Sequence, residues 1–190
     1  MGSTATYPRT MPRPPRDFDA GIYHIGSHGS DTRNLFLTDD DRRNFLERLT
    51  FAVWPLGLEL LDYVLMGNHY HALVRTPDAR LSKALQLLHT GYSRRHNRVH
   101  GRSAHLFRAH CLARLVTTTE DLLTVYRYIA RNPVEAGFVL DPLDWPWSSA
   151  RTHAGLEGPR VPLDESLLRG ALDDDPQWRR RYRRLIRPPF

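Results

Sequence analysis

An α+β domain built on an antiparallel sheet is predicted by three observations. Segments of alternating apolar residues take turns with segments of helical periodicity, the dipeptide Gly67-Asn68 joins two strand-like runs as a tight hairpin, and 190 residues suffice for one well-packed core but not two. The composition, 41% hydrophobic and 25% charged, is that of a globular chain rather than a disordered or membrane one. No apolar run approaches the roughly 20 residues that span a bilayer, and the first residues hold no apolar stretch of secretory type. Cys111 is the sole cysteine. That excludes an internal disulfide and a cysteine-rich zinc module, and it fits a reducing cytoplasm.

Residues 1–17, rich in Pro, Arg and Thr, are expected to form a flexible basic arm. The first strand follows, with Ile22, His24 and Gly26 alternating with Tyr23, Ile25 and Ser27, and the polar turn SHGSDTRN ends it. Thr38 is a good N-cap for DDDRRNFLERLTFAVWPLG, whose first turn is acidic, whose Phe45, Leu46, Leu49 and Val53 repeat at helical spacing, and which Gly57 ends. LELLDYVLM and HYHALVRT then read as the two strands of the hairpin. Leu81 to about His100 is helical through Leu81, Leu85, Leu88 and Tyr92, and His110 to Val116 reads as a strand. Thr119 caps a helix from about Glu120 to Arg131, with Pro133 as its stop. The order strand, helix, strand, strand, helix, strand, helix is the split βαβ, ferredoxin-like pattern, with helices expected on one face. DWPWSSARTHAG (Asp144 to Gly155) reads as a short helix anchored by Trp145 and Trp147. A catalytic domain over residues 18–155 would then be followed by an extension, 156–190, acidic from Asp164 to Asp175 and basic in WRRRYRRLIR.

The net charge of +6 and pI of about 9.9 point to a polyanionic partner, with nucleic acid first among them. Lys83 is the only lysine. Arginine suits phosphate contacts, although a codon bias explains the preference equally well.

His69-Tyr70-His71 opens the second hairpin strand. Alternation puts both imidazoles on one face, where they can grip one metal ion. Such a pair is equally a packed or surface pair, and the residues alone leave both readings open. Mg²⁺ prefers oxygen ligands, Mn²⁺ accepts imidazole more readily, and zinc is not excluded. Tyr128 and Asn132 lie four residues apart, hence on one helix face. No Gly-rich phosphate loop precedes a helix, and Asp62 and Asp78 flank the hairpin without an obvious partner, so tyrosine remains as the nucleophile. A phenol attacking phosphorus yields a covalent phosphotyrosine.

Four segments carry a resemblance: GNHYHALVRTP, GYSRRHNRVHGRSAHLF (Gly91 to Phe107), YIARNPVEAGFV (Tyr128 to Val139) and DWPWSSA (Asp144 to Ala150). In this order the chain resembles the single-tyrosine, His-hydrophobe-His transposases, and most closely the REP-associated tyrosine transposases. The resemblance implies that Tyr128 attacks single-stranded DNA, that His69, His71 and Asn132 hold Mg²⁺ or Mn²⁺, and that a 5′-phosphotyrosine and a free 3′-OH result. It implies a hairpin or palindromic single-strand partner, a cytoplasmic, nucleoid-associated enzyme, and a monomer, with a homodimer as the alternative. The chain departs from its relatives at Gly67, where proline is common, near His110-Cys111, and in SHGSDTRN.

Three other tyrosines have structural readings. Tyr70 points to the opposite strand face from the histidines, Tyr126 lies across the helix from Tyr128, and Tyr92 continues an apolar stripe, for structure or DNA stacking. His96 and His100, one helical turn apart, raise a second metal site. The segment containing them reads instead as DNA-facing surface, on which Arg94, Arg95, Arg98 and Arg102 would neutralise phosphates. A rival function of another class is a non-catalytic binder of structured single-stranded DNA or RNA.

Overall fold

The computed structural model describes residues 18–30, 34–108, 111–158 and 161–188. The expected arm at 1–17, part of the SHGSDTRN turn and His110 lie outside the described residues. Four strands form one sheet: β1 (Gly21–His28), β2 (Glu59–Leu65), β3 (His69–Thr76) and β4 (Leu112–Val116), in the order β2-β3-β1-β4 with every pairing antiparallel. This is the split βαβ arrangement that the element order predicts. The β2–β3 turn closes through Met66 N–H to His69 O at 2.9 Å, with neither Gly67 nor Asn68 at positive φ.

Helix α1 (Asp39–Val53) starts where the sequence places it. Thr38 Oγ1 accepts from Asp41 N–H while the Asp41 carboxylate accepts from the backbone of Thr38, a reciprocal capping box in an acidic first turn. The α-helix stops at Val53, before one 3₁₀ turn over Trp54–Leu56, and Gly57 reverses the chain at φ 70°. Helix α2 (Leu81–Val99) runs back along the sheet from the end of β3. Helix α3 (Thr119–Glu135) is capped by Thr118, one residue earlier than expected, and runs past Pro133 instead of stopping there. A proline inside a helix removes one backbone donor. Here Pro133 is buried together with Ile129 and Ala130, and tertiary packing sustains one further turn before Gly137 at φ 73°.

The expectation of helices on one face is corrected. Helices α1 and α2 cover Tyr23, Ile25, Tyr63, Tyr70, Ala72 and Val74 on one side of the sheet. Helix α3, α4 (Ala150–His153), α5 (Ser166–Ala171) and α6 (Trp178–Ile186) supply the other layer, where Leu122, Val125, Tyr126 and Ile129 meet Leu61, Val64 and Leu73. A one-sided fold would leave these apolar residues in water, at about 25 cal/mol for each Å². The acidic and basic halves of the C-terminal segment pair with each other: Arg179 reaches Glu165 at 2.9 Å, and Arg181 binds Asp173 and Asp175. Trp178, Tyr182 and Ile186, spaced by four, bury the inner stripe of α6.

DWPWSSARTHAG is α-helical only from Ala150, after a 3₁₀ turn that ends at Asp144. Before Ala150 it runs along the outer edge of β2, with Leu65 N–H bonded to Trp147 O, Ser149 N–H to Tyr63 O, and Val64 bridged to Ser148. Pro146 disfavours helical backbone at Trp145, which is extended at φ −85° and ψ 111° and donates its indole N–H to Leu65 O. The edge strand is thereby covered.

Candidate active site

Alternation along β3 sends Tyr70 into the α1/α2 core and turns His69 and His71 towards α3. Helix α3 lays Tyr128 and Asn132, one turn apart, over the two imidazoles. Asn132 Oδ1 lies 3.0 Å from His69 Nε2, and Tyr128 Oη lies 3.3 Å from His71 Nε2. Four residues singled out from sequence, 57 and 63 positions apart across the two pairs, therefore meet in one place.

Two further histidines, which sequence reasoning missed, come from β1. His24 Nε2 is 3.0 Å from His71 Nδ1, and the His28 ring stacks on His69 with centroids 4.6 Å apart. The register causes this, pairing His28 with His69 and Gly26 with His71. A Cβ on Gly26 would lie 2.7 Å from His71 Nδ1, so the glycine is what admits the His71 ring beside β1. The available signal was parity: His24 and His28 sit on one face of their strand, as His69 and His71 do on theirs.

Burial keeps the cluster uncharged. His24 is lowered to about 4, chiefly by burial and then by Arg114, against Asp121. His69 is also lowered to about 4, by burial first, against its bond to Asn132. His71 lies well below its ordinary value through burial and the neighbouring imidazoles. With neutral rings, a metal bound through His71 Nε2 requires the tautomer in which His71 Nδ1–H donates to His24 Nε2 and the Nε2 lone pair faces the Tyr128 hydroxyl. His69 has an oxygen at each nitrogen, Asn68 Oδ1 at 2.8 Å and Asn132 Oδ1 at 3.0 Å, but one proton to give. One lone pair therefore faces another unless a cation lies between them or an amide is turned over. Two neutral imidazole Nε2 atoms and an amide oxygen on one side of the sheet are donor types that a divalent ion accepts, and they would leave it its full charge.

The rival tyrosines are structural. Tyr70, Tyr92 and Tyr126 are buried, Tyr70 donating to His89 Nε2 at 2.8 Å and Tyr92 to Leu35 O. Arg94, Arg98 and Arg102 are exposed along and beyond the end of α2, across the sheet from Tyr128 but at the His69 end of β3. Arg95 is half-buried, with Nη1 3.8 Å from Asp41 Oδ1. The reading of His96 as DNA-facing surface is overturned, because it is fully buried. It continues the stripe of Leu81, Leu85, Leu88 and Tyr92. Asp62, left without a partner in the sequence reading, is buried against Ser149, with His153 Nε2 at 3.5 Å. An open groove of about 840 Å³ between α1 and a wall that includes Trp147, Arg151, Gly158 and Val161 holds none of the site residues.

Among the described residues no helix is long and apolar enough to cross a membrane. No family model and no curated protein matches the sequence. The fold is similar to the solved structure of a REP-associated tyrosine transposase bound to a REP hairpin, with a TM-score of 0.60 over 85% of this chain and 93% of that one, at 18% identity. At that identity the likeness is one of fold, and it falls on the family that the four sequence segments resemble.

Proposed function

We propose that the chain is a metal-dependent, single-strand DNA transposase or endonuclease with Tyr128 as nucleophile and His69, His71 and Asn132 as ligands of Mg²⁺ or Mn²⁺. The carrying observation is the meeting of these four side chains between β3 and α3, at 3.0 and 3.3 Å. A bound divalent ion would polarise the scissile phosphate and neutralise its charge. The protein's own groups do the rest. His24 holds the His71 ring through its Nδ1–H, β3 keeps both imidazoles on one face, and α3 presents the Tyr128 hydroxyl beside them. Tyr128 Oη forms a bond to phosphorus and gives up its proton, the bond from phosphorus to the 3′ oxygen breaks, and that oxygen takes up a proton. The products are a 5′-phosphotyrosine and a free 3′-OH, a polarity taken from the family resemblance.

Hairpin-bearing single strands are the proposed substrate, because the structurally similar transposase is bound to a REP hairpin and the net charge of +6 favours a polyanion. Arg94, Arg95, Arg98 and Arg102 are the proposed phosphate contacts, and a cytoplasmic, nucleoid-associated monomer is the proposed state. Incubation of labelled hairpin oligonucleotides with Mg²⁺ or Mn²⁺ should give a denaturation-resistant protein–DNA adduct. Tyr128→Phe should abolish the adduct and keep binding; an undiminished adduct in that variant overturns the assignment. Binding without cleavage by the unsubstituted chain, whatever the metal, would favour a non-catalytic binder.

A further inference from the structure

A second donor cluster lies on the opposite side of the sheet from Tyr128. Asp41 in the first turn of α1, His96 in the last turn of α2 and His100 at its C-cap place their ligand atoms within 4.8 Å of one another. His96 and His100 are four apart on the helix, so their rings share a face, with centroids 4.5 Å apart. His100 Nε2 is 3.0 Å from Asp41 Oδ1. His96 is fully buried, yet neither ring nitrogen has a hydrogen-bond partner. Its neighbour Asn97 commits its amide nitrogen to Ala104 O. A buried imidazole with nothing to donate to or accept from is costly, because its polar atoms have given up water for no partner.

We propose that Asp41, His96 and His100 form a second metal site, selective for a zinc-class transition ion, that clips the start of α1 to the end of α2. Two imidazoles and one carboxylate are a zinc-type donor set with a fourth position left for water. Bonds of about 2.0 Å at tetrahedral angles put ligand atoms about 3.3 Å apart. The His100–Asp41 pair is already close to that spacing, and His96, within 4.8 Å of both, must close by at most about 1.5 Å. The second oxygen of Asp41 stays engaged with the backbone N–H groups of Leu37 and Thr38, which fixes the carboxylate. Arg95 opposes the site: its Nη1, 3.8 Å from Asp41 Oδ1, must turn outwards, and its side chain is one-quarter exposed.

The site is independent of the one proposed at Tyr128, so the test is run without that one. Full-length protein carrying His69→Ala and His71→Ala is stripped with chelator and dialysed against Zn²⁺ or Co²⁺. One equivalent should remain bound, with the visible absorption of tetrahedral Co²⁺ and a raised melting temperature. His100→Gln should weaken binding by about 100-fold or more, and Arg95→Gln should strengthen it. His96→Ala should abolish it; should that core variant fail to fold, the half-buried His100→Gln carries the test. Absence of bound metal in the His69→Ala, His71→Ala protein overturns the proposal. So does an equivalent that survives His100→Gln undiminished.

Discussion

Stability should fall as pH rises above 6.5, because one buried histidine is held protonated by the fold. His153 sits wholly inside the α3/α6 layer with Nδ1 3.0 Å from Glu165 Oε1 and Nε2 3.5 Å from Asp62 Oδ1. Burial opposes its charge, yet Asp62 and Glu165 together raise it to about 9. A group whose folded value lies above its unfolded 6.5 binds its proton more tightly in the folded state. Its contribution is complete below pH 6.5 and disappears as pH climbs through 9. The span corresponds to about 3 kcal/mol, or about 6–12 °C in Tm for a chain of this size. Cys111, pushed up to about 11, adds to it only above about pH 8.5. Thermal melts followed by circular dichroism from pH 6 to 9, compared with an Asp62→Asn, His153→Gln double variant, test this. A flat Tm for the unsubstituted protein between pH 6.5 and 8.5 refutes the reasoning. Below 6.5 the sign reverses, because His24 and His89, both lowered to about 4 mainly by burial, must charge on unfolding.

Three variants probe the candidate site and its surroundings. His24→Ala removes the acceptor of the His71 Nδ1–H and should weaken Mn²⁺ binding by about 10–100-fold, with cleavage restored by excess Mn²⁺; an unchanged metal titration would sink the positioning role. Gly26→Ala places a methyl 2.7 Å from His71 Nδ1 and 2.8 Å from Tyr70 O, so urea melts should show a loss of about 1–3 kcal/mol together with weaker metal binding. A wild-type urea midpoint would show that β1 and β3 have room to spare. Replacing Arg94, Arg98 and Arg102 with Gln should lower the salt slope of single-strand DNA binding by about 0.7 for each phosphate contact, or about 2 in all, measured by anisotropy across a salt series. An unchanged slope would move the DNA path off the end of α2.

Much of the fold was legible because its elements carry local signals. Period-two runs marked β1, β2 and β3, the Thr38–Asp41 capping box marked α1, and the order of elements fixed the sheet. Failures came where a long-range partner decides. Pro133 reads locally as a stop, but burial of its helix carries α3 beyond it. The two tryptophans suggested a helix, whereas hydrogen bonds to the β2 edge, visible only in three dimensions, hold that segment out of one until Ala150. The side on which a helix packs is likewise not a local property. Within the site, His69 and His71 declare themselves by parity and Tyr128 and Asn132 by helical spacing. His24 and His28 become site residues only once β1 is laid beside β3 in register. His96 is different, since its place in the stripe of Leu88 and Tyr92 was in the sequence, and its histidine chemistry drew attention away from that pattern.

The residue between the two histidines explains why they can be aimed at all. Tyr70 is fully buried on the far side of β3, packed at 4.8 Å on the Phe45 ring of α1 and bonded through its hydroxyl to His89 of α2. Strand alternation makes that anchoring and the orientation of His69 and His71 one geometric fact: rotating the strand to free the histidines would pull Tyr70 out of the core, against about 3–5 kcal/mol for a buried aromatic ring. A slip by one residue is excluded for the same reason, since it would send both imidazoles into the α1/α2 core and Tyr70 to the α3 face. The apolar side of the sheet therefore holds the donor set in place from behind. Contacts with Asn68 Oδ1 and His24 Nε2 set the ring orientations from the side, and α3 brings Tyr128 and Asn132 from the front. Preorganisation of this kind is what the proposed site needs, since its metal ligands and its nucleophile would come from different parts of the chain.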